Sequence, residues 1–74
     1  MSRPVKRSFS IAGHRTSISL EAPFWAALQD AAAHERIPVA QLVARIDGDR
    51  NGASLSSAVR IWLLHYYQSQ TPVQ

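Results

Sequence analysis

Four cations, Arg3, Lys6, Arg7 and Arg15, precede the first carboxylate, Glu21. The first twenty residues therefore carry a formal charge of +4, while the other fifty-four sum to −1. Positive charge gathered at one end of a chain suits a polyanionic partner, nucleic acid more often than an acidic membrane surface. Bond-making chemistry has no comparable support. Cysteine is absent, so disulfides and thiolate metal sites are excluded. His14, His34 and His65 lie far apart with no carboxylate at ligand spacing, so neither a metal nor a cofactor is expected. Ser54, Ser56 and Ser57 cluster at a helix start, where hydroxyls act first as caps. No phosphate-cradling glycine loop, paired carboxylates or nucleophile–base set is visible, and the chain is read as a non-enzyme.

The elements that must position these cations follow from periodicity. From His14 to Leu20 the residues alternate, with Thr16, Ile18 and Leu20 on one face and Arg15, Ser17 and Ser19 on the other. This is the pattern of a half-buried strand, and it is the only convincing strand expected. Arg7 to Ile11 also alternates, but its apolar members Phe9 and Ile11 fall on odd positions. The parity slips at Ala12-Gly13, so Gly13 is read as a turn or bulge between a basic arm, residues 1–13, and the main strand.

Three helices are expected next. Glu21-Ala22-Pro23 opens the first, whose buried stripe is Trp25, Leu28 and Ala32 with Phe24 and Ala31; it ends near Glu35 or Arg36, ahead of Ile37-Pro38. Val39, Leu42, Val43 and Ile46 mark the second, ending at Asp47-Gly48. Ser54 caps the third, which carries Leu55, Ala58, Val59, Trp62, Leu63 and Tyr66 on one face. Ile61, Leu64 and Tyr67 lie off that stripe, more apolar circumference than one packed face requires. The core domain is expected over residues 14–67, with a frayed polar tail over 68–74. No apolar run approaches the roughly 20 residues of a membrane span.

A single strand leaves backbone N–H and C=O groups unpaired on both edges. The expected solution is a second copy: two strands pair antiparallel and their apolar faces cap a shared helical core. The predicted dimer core is Thr16, Ile18, Leu20, Trp25, Leu28, Leu42, Val43, Ile46, Val59 and Trp62. The fold class is thus mainly α with one short β-strand, an intertwined homodimer with a two-stranded antiparallel ribbon and an additional C-terminal helix. Its dimerisation is expected to be obligatory.

Lys6-Arg7-Ser8, Gly13-His14-Arg15-Thr16-Ser17, Ser19-Leu20-Glu21, Phe24-Trp25 and Leu28, followed by Leu55-Ser56-Ser57-Ala58 and Arg60, resemble short stand-alone bacterial members of the ribbon-helix-helix family. The methionine repressor and Arc are β-ribbon readers of this kind. The resemblance covers about Lys6 to Tyr67. It implies a small cytoplasmic, nucleoid-associated transcriptional regulator that inserts its ribbon in the major groove of double-stranded DNA, as a homodimer able to assemble further on DNA. On that reading Arg15, Ser17 and Ser19 meet base edges, and Arg3, Lys6 and Arg7 meet phosphates. The helix N-terminus at Val39 and Ala40 would hold a further phosphate, as the helix dipole favours. Two of the three reading positions are serines, which pair with more than one base, so Arg15 would carry most of the direct readout. The other reading is a protein-interaction module, such as the antitoxin of a toxin pair, recruiting its partner through the C-terminal helix.

Overall fold

In the computed structural model, which describes residues 3–50 and 52–70, the element order is β1 (Val5–Ile11), β2 (His14–Leu20), α1 (Ala22–Glu35), α2 (Val39–Asp49) and α3 (Leu55–Gln70). The expectation of a single strand is corrected: part of the presumed arm is β1, and it pairs antiparallel with β2 of the same chain. Ile11 stands opposite His14, leaving Ala12 and Gly13 as a two-residue turn with φ of 51° and 83°. Positive φ at both central residues is the requirement of a type I′ turn, whose twist matches that of the flanking strands.

This turn also explains the slip in parity. With Ile11 facing His14, every odd residue of β1 stands opposite an even residue of β2. Phe9 and Ile11 therefore share a face with Ile18 and Leu20, and the two alternating patterns describe one continuous apolar surface. That surface packs on the helices, with β1 against α2 and β2 against α3.

Trp25 fastens β1 in place. Its Nε1 donates to the Val5 carbonyl at 2.8 Å, its ring stacks on Phe9 with centroids 5.9 Å apart, and the Arg7 guanidinium lies over it at 5.2 Å. A ring that packs three residues of one strand and also satisfies its own N–H fixes that strand firmly.

α1 ends in a Schellman motif. Arg36 adopts the left-handed conformation (φ 60°), its N–H donates to Ala33 O at 3.1 Å, and the Ile37 N–H donates to Ala32 O at 3.0 Å. Ile37 then packs against the core, and Pro38 precludes continuation. α2 extends one residue past Gly48, to Asp49. Arg50 braces the turn that follows, donating through Nε to Asp47 Oδ1 and through Nη1 to Ala53 O. At α3, Ser54 Oγ accepts from the Ser57 N–H at 3.2 Å, the side-chain cap its sequence position suggested. α3 is helical to Gln70, past the point where the frayed tail was expected to begin; the rest of that tail, 71–74, lies outside the described residues.

The helices and hairpin enclose one core, in which Ile18, Leu20, Leu28, Leu42, Val43, Val59 and Leu63 are almost completely buried. Each such side chain contributes on the order of 1.5–3 kcal/mol. Of the residues assigned to a dimer core, all but Thr16 and Trp62, which are half-buried, are already buried within one chain. β1 thus supplies within one chain the strand partner that was expected from a second copy, and a dimer is not needed to pair β2 or to bury these residues.

Candidate nucleic-acid interface

The hairpin face turned away from the core consists of Lys6, Ser8 and Ser10 from β1 and Arg15, Ser17 and Ser19 from β2. Ser19 is half-buried and the other five are exposed. The register sets them in three cross-strand rungs: Ser10 beside Arg15, Ser8 beside Ser17, and Lys6 beside Ser19. In the central rung the two hydroxyl oxygens lie 3.3 Å apart. The face bears two cations, four hydroxyls and no carboxylate. Lys6 and Arg15 make no ion pair or side-chain hydrogen bond among the described residues.

Sequence reasoning thus identified the β2 half of this face and missed Ser8 and Ser10. The signal that could have found them was the parity slip itself, read as a two-residue hairpin loop. Arg7, grouped with Lys6 by sequence, lies on the opposite face over Trp25. Arg3 is exposed ahead of β1. The backbone at Val39 and Ala40 forms the first turn of α2, where the carbonyl of Pro38 accepts from Gln41 and Leu42. The amides of Val39 and Ala40 precede those donors and have no intrahelical acceptor.

The free edge of β2 is closed at one end. A two-residue turn makes Ile11 and His14 the closing hydrogen-bonded pair, so the backbone groups of Arg15, Ser17 and Ser19 point away from β1. At Ser19 they are taken by α3: the N–H donates to Ser56 Oγ at 3.1 Å, and the carbonyl accepts from Arg60 Nη2 at 3.2 Å. Arg60 also clasps Glu21 Oε1 through Nε (3.1 Å) and Nη2 (2.9 Å), and lies over the Phe24 ring at 5.6 Å. The Glu21 carboxyl is held below its ordinary range by its own backbone N–H and then by the hydrogen bond from Arg60.

Further along α3, the Tyr66 hydroxyl lies 2.6 Å from His34 Nδ1 and donates to Glu35 Oε2 at 3.2 Å. Desolvation, followed by the neighbouring Glu35, pushes Tyr66 above its usual range. Along α3, Ile61 and Leu64 remain 52% and 57% exposed. No group of three potential metal ligands occurs among the described residues, and no described helix is long and apolar enough to cross a membrane.

The family model described as Ribbon-helix-helix domain matches residues 4–67. The chain belongs to the ribbon-helix-helix family. No significant match is found among curated proteins or among solved structures. Ribbon-helix-helix proteins are generally DNA-binding transcription regulators or antitoxins, typically non-enzymatic, and they form dimers. In this member the matched region includes both strands of the hairpin and all but the end of α3.

Proposed function

We propose that this ribbon-helix-helix protein is a sequence-specific regulator that sets the outer face of its hairpin into the major groove of duplex DNA as a homodimer. The observation that carries the reading is an uncovered sheet face bearing two unpaired cations and four hydroxyls, within a family whose members bind DNA. Arg15 is the principal base reader, suited to a bidentate contact with guanine, and Ser17 and Ser19 flank it. Arg3, Lys6 and the amides of Val39 and Ala40 serve phosphates. Arg7 is left out of this set because its guanidinium is engaged on Trp25. A bacterial, cytoplasmic and nucleoid-associated setting follows from this reading.

The test is binding to a duplex library across a salt series. If 6–8 phosphates are neutralised per dimer, log K falls against log salt with a slope of roughly −5 to −7. Absent or salt-indifferent affinity would overturn the reading. Arg15→Ala is expected to abolish sequence preference while non-specific binding persists. Equal loss on every sequence would make Arg15 a phosphate contact.

The exposure of Ile61 and Leu64 favours a second reading, in which α3 receives a protein partner as antitoxins do. A copurifying protein lost in Leu64→Glu would support it, and a homodimer that already covers Leu64 would remove it.

A further inference from the structure

We propose that the outer edge of β1 is a docking surface for the same edge of a second copy, the two β1 strands pairing antiparallel across a twofold axis at Ser8. The ladder with β2 engages the backbone of Val5, Arg7, Phe9 and Ile11, so the N–H and C=O groups of Lys6, Ser8 and Ser10 point away from it. None of these groups has a hydrogen-bond partner among the described residues. The three residues are exposed, as are Val5 and Arg7 beside them. The two edges of the sheet are therefore unlike. Ser56 and Arg60 cover one end of the β2 edge, while the β1 edge is open along its length. The pairing through β1 leaves the Arg15–Ser17 stretch of β2 free for another strand.

Charge and turn geometry select one register. With Ser8 on the axis, Lys6 stands opposite Ser10 of the second copy, and each of the pairs 6–10, 8–8 and 10–6 exchanges two backbone hydrogen bonds. On the face toward the helices the same register sets Val5 beside Ile11 and Arg7 beside Phe9. Val5 is 43% exposed in the single chain, so the pairing gives an uncovered apolar side chain an apolar neighbour. Arg7, already over Trp25, gains a second aromatic ring. Moving the axis to Arg7 would set two guanidiniums opposite each other and bring in Pro4, which has no N–H to donate. Moving it to Lys6 would oppose two ammoniums. Moving it to Phe9 carries Lys6 against Ala12, where a φ of 51° ends the extended backbone. Only the axis at Ser8 satisfies every backbone group left open on β1.

The test uses the full chain. Because the Ser8 N–H takes no part in the intrachain ladder, Ser8→Pro costs the hairpin no hydrogen bond and blocks the edge. Its sedimenting mass is expected to be at most about half that of wild type, with an unchanged circular dichroism spectrum. The chain has no cysteine, so single cysteine substitutions report contacts directly. Two Ser8→Cys chains would place their Cα atoms about 5.5 Å apart, within disulfide range, and are expected to form a covalent dimer on mild oxidation. Ser10→Cys chains, about 13 Å apart in this register, are expected to cross-link at least about tenfold more slowly. The Ser8→Cys cross-link is expected to persist when Ser17→Pro is added to block the edge of β2. Equal rates for Ser8→Cys and Ser10→Cys would overturn the inference, since they would report random collision. A wild type that sediments as a monomer, or a mass unchanged by Ser8→Pro, would also overturn it. A cross-link lost with Ser17→Pro would overturn it too, making β2 the interface. Should Ser8→Pro fail to fold, the cysteine variants decide alone.

Discussion

The two faces of the hairpin come from the same fourteen strand residues and differ in almost every other respect. The inner face is large, apolar and fixed: Ile11, Ile18 and Leu20 are buried, and Trp25 grips Val5, Arg7 and Phe9. The outer face has short hydroxyls and two cations that make no ion pair among the described residues, and it is exposed except at Ser19, where α3 adjoins it. Sterics allow the inner face little change, whereas the outer face contributes little to stability and is free to be specified by a ligand. Stability and recognition are thus separated by the two-residue period of a strand, and a one-residue slip in register would exchange them.

The inner face is most sensitive at Trp25. Trp25→Ala is expected to cost about 3–5 kcal/mol, read as a lower denaturant midpoint, and to free β1 from the helices. Trp25→Phe retains most of the packing and loses the bond to the Val5 carbonyl, at about 1 kcal/mol. Arg15→Ala is the matching test on the outer face. Its unfolding free energy is expected to stay within about 0.5 kcal/mol of wild type, while base discrimination falls by about 1–3 kcal/mol at one position. A large stability loss there would show that the two faces are coupled.

Acid acts at the junction of β2 and α1, where Arg60 holds Glu21. Because the folded-state pKa of Glu21 is depressed, its contribution is complete above the ordinary carboxylate range and disappears as pH falls through the folded value. Glu21→Gln is expected to flatten the acid limb of a stability–pH curve and to leave the neutral-to-alkaline limb unchanged. The smallest effect belongs to the turn. Ala12→Asn supplies the Asn-Gly pair that type I′ turns prefer, at a residue with φ of 51°, and is expected to raise stability by about 0.5 kcal/mol without altering either face.

The alternation from His14 to Leu20 revealed β2 and its outward residues because one strand half-buried against helices leaves a local pattern. The three helices were equally legible, since their stripes recur within a turn. β1 was not, for two reasons. Its alternation was visible, but Ala12-Gly13 lacks the Asn or Asp that usually announces a type I′ turn, and alanine rarely takes positive φ. Its main anchor, Trp25, is twenty residues from Val5, and no local pattern encodes such a contact. Arg7 shows the limit of reading charge by proximity: it adjoins Lys6 in sequence and points the other way. The helix end at Arg36 was found through Ile37-Pro38, although an arginine occupies the left-handed position where glycine is usual.

The grip of Ser56 and Arg60 on Ser19 has a consequence for solubility. An open sheet edge is a template on which foreign strands can add and fibres can grow, and natural proteins commonly shorten or plug such edges. Here α3 plugs the last rung of β2, so on this one edge only a short stretch near the turn is left for an intruding strand. Because the plug is braced by Glu21, protonation of that carboxylate weakens the clasp and loosens the cover over this end of the β2 edge.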